Sequence, residues 1–588
     1  MVITDQPAHG PVPVGLPARR RMLTPGRVAV GLGALGVGYR LAMLLAELPP
    51  TNSDEAVSGL VATHVAQGRE FPLFFYGQYY MGALEAYLAA PLFALGGSGT
   101  LALRLPNLLL YALFLALMWQ LTHRLYQPWF ATAVVGLLAL GSDRILKNQL
   151  IAGGGYPEMN PAGALLVLLA VTLGLGTVRR RRLALAGFGV VAGLTLWDDW
   201  LVLPYVAAAG VLLVAGTRRT PAGRDGVPPA RPARPGRLAL AALGRVALAG
   251  RGRRGLLGGE GVALAAGLAV GLLPIVAHNL TAAPEHRSLA VYRQLGEGTA
   301  GEWADRLHGG VLLGLSMGTS FCAPGRCADW QLWWGVLAPL LLVVAGLVAL
   351  RARWALRPTR WPGDVARAER IRQGGRLALV GAAAVSLLAY AVSAAAGRTP
   401  VESSRYLSCL LISLPALLWP LWAAAAGRLP AGRLRIGRYR AGLRLAGSGG
   451  LAAVAAGALW ATGTLIAEAP TLTRADQQRR GLVAELDRLG VRHFYAEYWT
   501  CNPVVFATRE RLACAVLRDD LRPGWDRYPA YPARVARADR VAYVLPAGTG
   551  LSRAVGERLA ATGVPVTRTT VPGYDVYLPA VPVRPPLR

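Results

Sequence analysis

Acidic side chains that could do chemistry are concentrated in one segment, TNSDEAVSGLVATHVAQGREFPLFFYGQYYMGALEAYLAAPLFALGG. The segment carries two adjacent carboxylates, Asp54 and Glu55, then His64, an aromatic run over 71–80, and Glu85. A positioned carboxylate is suited to remove the proton from an attacking hydroxyl group. Aspartate is also a favoured N-cap residue, so Asp54 could instead cap a helix that begins at EAVSGLVATHVAQG. The sequence leaves both roles open for Asp54.

Further polar groups with chemical potential follow at intervals along the chain. GSDRILKNQLIAGGGYPEMN contains acids, bases and a tyrosine, WDDW contains two adjacent acids, and RTPVESSRYL contains an arginine beside a tyrosine. Carboxylates can act as general bases or metal ligands, and arginine binds phosphate through two parallel hydrogen bonds. The competing account is a polar rim that merely ends helices in water. The candidates here, with one histidine near the end of another apolar stretch, are Asp143, Arg144, Lys147, Tyr156, Glu158, Asp198, Asp199, His278, Glu402, Arg405 and Tyr406.

These residues are embedded in a chain that is too apolar for an ordinary soluble protein. Of its 588 residues, 54% are hydrophobic and 16% are charged, and the mean hydropathy is +0.38. A bilayer core about 30 Å thick needs about 20 apolar residues per helix, and about 11 stretches meet or nearly meet that length. The sequence therefore predicts a polytopic α-helical membrane protein. The predicted spans are 27–47, 101–122, 128–142, 161–178, 183–197, 200–216, 258–279, 331–350, 377–396, 407–426 and 446–466.

The placement of arginine orients the predicted spans. The chain has 62 basic and 32 acidic residues, a formal net charge of +30, and Lys147 is its only lysine. Arginine-rich runs alternate with acidic loops, so the positive-inside rule makes the arginine face cytoplasmic and the acidic face extracytoplasmic. This pattern predicts a multi-pass protein of the plasma (inner) membrane rather than a nucleic-acid-binding protein. The runs lie at 19–21, 179–182, 218–254, 351–376 and 428–444.

The predicted domain organisation follows from this topology. A cytoplasmic tail (1–26) precedes a transmembrane domain (27–466), whose first outer loop (48–100) holds the acidic segment. A cytoplasmic Pro/Arg loop (217–257) is expected to contact anionic lipid or to fix orientation. Residues 468–588 have shorter apolar runs and predict a small extracytoplasmic α/β domain. Within that domain we predict helices at 481–490 and 552–563 and strands at 493–499, 512–517, 540–546 and 564–571.

The five cysteines do not form a zinc-ligand pattern with histidine. Cys322 and Cys327 fall in a predicted outer loop, and Cys501 and Cys514 fall in the outer domain. An extracytoplasmic compartment permits disulfides, so both pairs are candidate bridges. Cys409 lies within a predicted span, where we expect it to pack.

Arg40 lies inside the first predicted span rather than at its end. A charged side chain within a membrane is costly and requires a partner. Glu47 is one candidate partner, which would give Arg40 a structural role. The phosphate of an anionic lipid substrate is the other, and the sequence leaves both open.

One stretch, NSDEAVSGLVATHVAQGREFPLFFYGQYYMGALEAYLAAPLFALGGSGTLALRLPN, resembles the first outer loop and second span of the GT-C glycosyltransferases. The similarity is to the bacterial branch related to protein O-mannosyltransferases and aminoarabinose transferases (the ArnT-like family). GGGYPEMN, the WDDW corner, SSRYL and YAEYWTCNPVVFATRE support the resemblance. Together these pieces cover most of the chain.

The resemblance implies a GT-C fold and an enzyme that takes a sugar from a polyprenyl-phosphate donor. The sugar would pass, with inversion and outside the cytoplasm, to a hydroxyl or phosphate on a cell-envelope glycan, lipid or protein. By the same resemblance, Asp54 falls at the position of the catalytic base, and Glu55 falls where the loop is held and substrate is contacted. Glu85 falls where some relatives place an acid near the donor phosphate or a metal, whereas Asp198 and Asp199 match more loosely.

The chemistry of such a transfer asks for a base and a cationic phosphate site. Asp54 could be the base, and Arg405 with Arg144, Lys147 or a divalent cation could hold the departing phosphate. Glu402 could instead pair with Arg405 in a local ion pair. If the cation is Mg²⁺ or Mn²⁺, the candidate ligands are Glu85 and Asp143. The remaining polar candidates, Tyr156, Glu158, Asp198, Asp199, His278 and Tyr406, are expected to contact the substrate or the donor phosphate.

Two other classes of protein share some of these features. A multi-span transporter or lipid flippase would also have many spans and a polar cavity, but transporters usually contain internal repeats and polar groups near mid-depth. The two halves of this sequence show no repeat, and its acids cluster at the outer boundary. A non-catalytic scaffold for envelope assembly is the second alternative. The sequence names neither the sugar nor the acceptor.

Overall fold

The computed structural model describes residues 23–217, 258–295, 301–356, 363–428 and 437–587. These residues form a bundle of helices followed by a small α/β domain that contains a five-stranded sheet. The part of the predicted N-terminal tail up to residue 22 and the Pro/Arg loop from 218 to 257 lie outside the described residues.

The described residues up to 217 contain nine α-helices, several of which begin with recognisable start signals. Thr24 caps the first helix by accepting a hydrogen bond from the Arg27 backbone N–H at 3.4 Å, and proline occupies an early position of α1, α5 and α7. Proline suits the first turn because its missing N–H would be unpaired there anyway. The helices are α1 (Pro25–Leu45), α2 (Ser53–Ala66), α3 (Leu84–Gly96), α4 (Thr100–Leu125), α5 (Pro128–Ala139), α6 (Asp143–Leu150), α7 (Tyr156–Leu175), α8 (Arg181–Asp198) and α9 (Leu203–Thr217).

The second half of the bundle combines long apolar helices with short connecting ones. A π-helical turn (His308–Leu313) and a 3₁₀ stretch (Ser404–Ser413) each lead directly into an α-helix. The α-helices are α10 (Gly259–Thr281), α11 (Ser288–Leu295), α12 (Trp303–Leu307), α13 (Gly314–Gly318), α14 (Trp333–Ala355), α15 (Asp364–Ala391), α16 (Ala394–Arg398), α17 (Pro400–Ser403), α18 (Leu414–Ala425) and α19 (Gly437–Arg488).

The described residues contain eight helices long and apolar enough to cross a membrane, or nine if the bent pair α5–α6 is one span. This finding confirms the predicted fold class, a polytopic helical membrane protein. The predicted spans 183–197 and 200–216 lie in α8 and α9, which are not among the eight. The count of about 11 spans, made from length alone, therefore stays a prediction.

The predicted third span, 128–142, is broken rather than continuous. Helix α5 ends at Ala139, and α6 leaves it at an angle of 92°. The guanidinium of Arg40 meets the carbonyls freed by this break, with 2.9 Å to the Ala139 oxygen and 3.1 Å to the Leu140 oxygen. Its Nε donates to Gln149 Oε1 at 2.8 Å. The last carbonyl groups of a helix lack partners within the helix, so Arg40 supplies the donors that the break between α5 and α6 requires.

Neither partner predicted for Arg40 is the one observed. Its side chain is fully buried among protein groups and lies 3.7 Å from the centre of the Tyr111 ring. Glu47 forms its ion pair with Arg480 instead. Arg40 is thus a structural residue of the bundle rather than part of a lipid-phosphate site.

Helices α8 and α10 pack against each other through glycine. Gly189 and Gly193 of α8 face Gly267 and Gly271 of α10. A Cβ atom on Gly267 would lie 2.0 Å from the carbonyl oxygen of Ala186, so no side chain fits there. Small residues four apart allow helix backbones in a membrane to approach closely, and this contact holds α10 on the bundle.

The C-terminal domain begins within α19, a single helix of 52 residues that runs from the last apolar span into the domain. It therefore includes the predicted span 446–466 and all but the last two residues of the predicted helix 481–490. The sheet contains β1 (His493–Ala496), β2 (Ala513–Val516), β3 (Ala542–Pro546), β4 (Val566–Val571) and β5 (Tyr574–Pro579), in the order β2-β1-β3-β5-β4.

Three strands of this sheet are parallel. β1 pairs in parallel with β2 and β3, with Phe494 opposite Cys514 and Ala542, whereas β5 is antiparallel to both β3 and β4. Helices α20 (Tyr498–Ala507), α21 (Ala530–Arg537) and α22 (Gly550–Ala561) connect the strands. This arrangement confirms the predicted small α/β domain.

The predicted elements of this domain need two corrections. The predicted strand 493–499 ends at Ala496, because Tyr498 already begins α20. Strand β5 and the helices α20 and α21 were not predicted. An aromatic run does not by itself distinguish the end of a strand from the start of a helix.

The two candidate cysteine pairs are both bonded. Cys322 is joined to Cys327, and Cys501 in α20 is joined to Cys514 in β2. Cys409 is free and buried, as expected for a packing residue.

Candidate functional site

The N-terminus of α2 places the first acidic pair. Asn52 is the N-cap residue, and its side chain accepts a hydrogen bond from the Glu55 backbone N–H at 2.9 Å. Asp54 is therefore not the cap, which corrects the structural alternative considered for it. Its carboxylate is left to interact with groups outside the helix.

Asp54 is bound by two side chains of the C-terminal domain. Its Oδ1 atom accepts a hydrogen bond from the Tyr498 hydroxyl at 2.6 Å and one from Arg527 at 3.0 Å. The Arg527 Nε atom also donates to the Tyr498 hydroxyl at 2.8 Å, so the three groups form a closed triangle. The Asp54 side chain remains 18% exposed. The candidate base thus lies where the helical bundle meets the C-terminal domain.

Glu55 points away from this triangle. Both of its oxygens accept hydrogen bonds from Arg104 of α4, each at 2.6 Å, and neither side chain is exposed to any significant extent. A bidentate pair of this kind fixes the orientation of both groups. Glu55 therefore holds the start of α2 against α4, and its bonds to Arg104 leave no exposed oxygen for the substrate contact that the resemblance implied.

Glu85 is enclosed by the glycine turn of the GGGY motif. Its Oε1 atom accepts hydrogen bonds from the backbone N–H groups of Gly154 at 3.1 Å and Gly155 at 2.9 Å. Both glycines have positive φ angles, +95° and +88°, which other residues rarely adopt. Burial raises the pKa of Glu85 to about 7, and the backbone donors oppose that rise. Glu85 thus joins the first outer loop to the start of α7.

Four carboxylates lie close enough for their charges to interact: Glu85, Glu158, Asp198 and Asp199. All four are buried. Asp199 accepts a hydrogen bond from the Leu201 backbone N–H at 2.8 Å, and burial raises its pKa to about 7. By contrast, both oxygens of Glu158 lack a hydrogen-bond partner among the described residues. The structure therefore brings together the predicted acids of three separate motifs.

Two neighbouring arginines lie nearby, and one of them, Arg405, acts on Asp199 of this acidic group. Arg144 donates to the Val401 carbonyl, and the guanidinium of Arg405 lies 5.4 Å from the Tyr156 ring and 5.7 Å from the Tyr406 ring. The charges of the two arginines act on each other, and the Nε atom of each is buried without a partner among the described residues. Unpaired donors on neighbouring like charges are the arrangement expected of an anion site.

Arg405 links the candidate base Asp54 to the acidic group through its charge. The charge of Asp54 acts on Arg405, and the charge of Arg405 acts on Asp199. Tyr80 of the aromatic run lies within reach of both Arg405 and Arg527. The predicted site residues of the first loop, the α6–α7 region, the WDDW corner and the SSRYL motif therefore converge.

Three other predicted residues have ordinary structural partners. Lys147 forms an ion pair with Asp143 one turn earlier in α6, at 2.9 Å. His278 packs against Phe74 and Tyr79 of the aromatic run, with ring centres 4.7 and 5.1 Å apart. Lys147 and Asp143 are thus mutually satisfied, and His278 supports the outer loop.

The predicted alternative for Arg405 is absent from the described ion pairs. Glu402 is exposed and forms no salt bridge with Arg405 among the described residues. The cation of Arg405 is left facing Tyr156, Tyr406 and the acids.

The candidate metal ligands do not come together. Glu85 is held by backbone N–H groups and Asp143 by Lys147. Within the described ranges, no three acidic, histidine or cysteine side chains are arranged as ligands for a metal ion. These residues do not form a recognisable cage for Mg²⁺ or Mn²⁺.

Further contacts join the two domains away from Asp54. His64 lies between the Tyr76 hydroxyl at 2.6 Å and Glu510 at 3.0 Å, and Arg69 also pairs with Glu510. Burial raises the pKa of Glu510, but hydrogen bonds from His64 and Arg69 outweigh it and lower that pKa to about 2. The Tyr528 hydroxyl also donates a hydrogen bond to Glu70 across the interface, at 2.5 Å.

Tyr498 and Arg527 were missed by sequence reasoning, although their positions carried a signal. Tyr498 lies near the end of the predicted strand 493–499, and Arg527 lies in GWDRYP, which follows the predicted strand 512–517. Residues after the carboxyl ends of parallel strands often line binding sites. No pattern, however, linked either residue to Asp54.

Comparisons with solved structures identify the fold. The structure of ArnT from Cupriavidus metallidurans in the apo state matches with a TM-score of 0.51 and 13% identity, covering 94% of this chain and 98% of that one. The same protein bound to undecaprenyl phosphate gives a TM-score of 0.52 at the same identity and coverage. The Archaeoglobus fulgidus oligosaccharyltransferase in the apo form matches at 12% identity over 88% of this chain and 69% of that one, but its TM-score of 0.45 adds no argument.

Neither the protein-family models nor the curated proteins include a match to this sequence. The structural match nevertheless spans almost the whole of both chains. The resemblance drawn from the sequence is therefore confirmed at the level of the fold: the chain has the GT-C fold of ArnT.

Proposed function

We propose that this protein is a membrane glycosyltransferase that transfers a sugar from a polyprenyl-phosphate donor to an extracytoplasmic acceptor with inversion. The acceptor is a hydroxyl or phosphate of a cell-envelope glycan, lipid or protein. The observation that carries the proposal is the pair Arg144 and Arg405, whose buried Nε atoms are unpaired among the described residues, with Arg405 within electrostatic reach of Asp54. The site thus combines an anion-binding pair with a carboxylate that has a free oxygen.

The arginine pair supports a phosphate as the anion. Bringing two guanidinium groups together in a buried place is unfavourable unless an anion balances them. A phosphate offers several oxygens and accepts the parallel bonds that a guanidinium donates. The ArnT structure bound to undecaprenyl phosphate supports a polyprenyl phosphate in this fold. Tyr156 and Tyr406 lie beside Arg405 and would border the same phosphate.

In the proposed reaction Asp54 acts as the general base. Its free oxygen takes the proton of the acceptor hydroxyl while the acceptor oxygen forms a bond to the anomeric carbon of the sugar. The bond between that carbon and the phosphate oxygen breaks, and polyprenyl phosphate leaves with the electron pair, held by Arg144 and Arg405. Attack opposite to the leaving group inverts the anomeric configuration.

The acidic group would contact the sugar. Glu158 has two buried oxygens without partners and Asp198 has one, so both can accept hydrogen bonds from sugar hydroxyls. Glu85 and Asp199 already accept hydrogen bonds from backbone N–H groups. If the enzyme uses a divalent cation, it would supply further charge for the phosphate, but no step above depends on it.

The test is the release of free polyprenyl phosphate. The parent protein and the Asp54→Asn variant are purified in detergent and given a panel of polyprenyl-phosphate sugars with a crude envelope extract as acceptor. Asp539→Asn, an exposed change on the outer domain, is the matched control. We expect release by the parent and the control, and a rate about 10²–10⁴-fold lower in Asp54→Asn, as for loss of a general base.

Two results would contradict the proposal. Equal release by the parent and Asp54→Asn would remove Asp54 from the chemistry. Movement of the donor across a reconstituted bilayer, without release from any donor, would instead favour a lipid or sugar flippase.

A further inference from the structure

We infer that the C-terminal domain is part of the catalytic site, with Arg527 and Tyr498 as the positioning residues for Asp54. The inference rests on the proposed function, because it takes Asp54 as the base. It assigns to the outer domain a task that its sequence alone did not indicate. The geometry supports it in three steps.

The first step is the position of Tyr498 and Arg527 at one edge of the sheet. Tyr498 follows the carboxyl end of β1, which is Ala496, and Arg527 follows β2 through a loop. That loop is tied back to β2, because Asp526 accepts a hydrogen bond from the Val516 backbone N–H at 3.0 Å. Residues beyond the carboxyl ends of parallel strands are the usual place for binding groups. Here that edge of the sheet supplies both groups that contact Asp54.

The second step is the rigidity of Arg527. Its side chain is only 5% exposed. Its guanidinium lies 4.7 Å from the Phe75 ring and 4.2 Å from the Trp525 ring, so aromatic groups of both domains contact it. A second guanidinium nitrogen also donates to the Tyr76 carbonyl at 3.4 Å. Contacts on several sides leave the group little freedom, which favours a fixed bond to Asp54.

The third step concerns which oxygen is held. Tyr498 and Arg527 both donate to Oδ1 of Asp54, and no hydrogen bond among the described residues uses Oδ2. A carboxylate held through one oxygen presents the other in a fixed direction. Because a misplacement of about 1 Å can cost a reaction about 10²-fold, such a hold matters for a general base.

A purely adhesive role for these residues is less well supported. The domains are also joined by Glu510 with His64 and Arg69, and by Tyr528 with Glu70. None of these bonds touches Asp54. These contacts hold the two domains together without Asp54. The bonds from Tyr498 and Arg527 differ from them because they bind the candidate base.

The experiment compares two Tyr→Phe changes in the same interface. Tyr498→Phe removes the hydroxyl that binds Asp54, and Tyr528→Phe removes the hydroxyl that binds Glu70, each without loss of the ring. Release of polyprenyl phosphate is measured over a range of donor concentrations. We expect kcat of Tyr498→Phe to fall about 10-fold or more with KM for the donor nearly unchanged, and kcat of Tyr528→Phe to stay within about two-fold of the parent.

Arg527 is tested by chemical rescue. We expect Arg527→Ala to lose about 10²-fold in kcat and to regain part of it when guanidinium ion is added at millimolar concentration, because the ion can occupy the space of the missing group. Arg527→Lys keeps the charge without the planar group and should fall between the parent and Arg527→Ala. A residue that only stabilises the fold would show no such rescue.

The outcomes separate the inference from the proposed function. If the parent releases no polyprenyl phosphate, the proposed function fails and the inference fails with it. If the parent is active and Asp54→Asn is not, but Tyr498→Phe and Arg527→Lys match the parent, the inference alone is overturned. Equal losses in Tyr498→Phe and Tyr528→Phe would also overturn it, since the effect would then be general to the interface.

Discussion

Replacing Arg104 by methionine tests the role assigned to Glu55. The change leaves Glu55 fully buried without the guanidinium that now binds both of its oxygens at 2.6 Å. Removing one partner of a buried ion pair typically costs about 3–5 kcal/mol, since the remaining charge has no compensation. We therefore expect Arg104→Met to be strongly destabilised. Replacing both partners, as Arg104→Met with Glu55→Leu, should recover most of the loss because no charge is then buried.

The assay has two readouts, stability and turnover. Unfolding of a large membrane protein in detergent is commonly irreversible, so stability is followed as the fraction that stays monodisperse after heating. The coupling between the two changes is the difference between the double variant and the summed single variants. Turnover of the double variant, measured at a temperature where it is folded, should stay close to that of the parent.

Two results would refute this reasoning. If the single variants and the double variant are equally stable, Glu55 and Arg104 are not coupled and the buried pair is not what holds α2 to α4. If the double variant is stable but has lost turnover, Glu55 takes part in the chemistry after all.

Three further predictions concern a glycine of the site, the contact between α8 and α10, and the domain interface. Gly155→Ala should destabilise by roughly 1–3 kcal/mol, because the residue has a φ of +88° and its new Cβ would lie 2.8 Å from that of Asp199; Gly187→Ala, in open space, is the control for the same heating assay. Gly267→Leu should separate α10 from α8, which cysteine cross-linking across that contact would report. Acid should weaken the domain interface. The pKa of Glu510 is about 2 in the folded protein, against an ordinary 4.5, so its ionised form stabilises the fold. That stabilisation is complete above pH 4.5 and is lost as the pH falls towards 2. The loss is at most about 3 kcal/mol before solvent screening. Thermal stability measured between pH 4.5 and pH 2 should show this loss in the parent and not in Glu510→Gln.

The sequence predicted the fold class because hydropathy and length are local properties. Apolar stretches long enough to span a bilayer can be read without any knowledge of contacts. The same approach misjudged 128–142, where the composition stays apolar but the helix ends at Ala139. The break depends on Arg40, more than 90 residues earlier in the chain, which supplies donors to the free carbonyls. Such a contact has no signature within the window that is being read.

The candidate site shows the same division between local and distant information. The prediction that the acidic motifs converge came from local information, because most of them lie just outside the ends of predicted spans. Tyr498 and Arg527 could not be assigned, because they lie 444 and 473 residues from Asp54. The cap of α2 was misassigned for a different reason: Asn52 and Asp54 are both good N-cap residues, and sequence places a helix start only to within about two to four residues.

The start of α2 also explains why two acids stand side by side. Successive residues of an α-helix differ in direction by about 100°, so adjacent side chains cannot enter the same site. Asp54 therefore reaches the C-terminal domain and remains 18% exposed, whereas Glu55 turns towards Arg104 and is fully buried. One acid can do chemistry because its neighbour fixes the helix that carries it. The pair is then a base and its support, and exchanging the two residues should lose both turnover and stability.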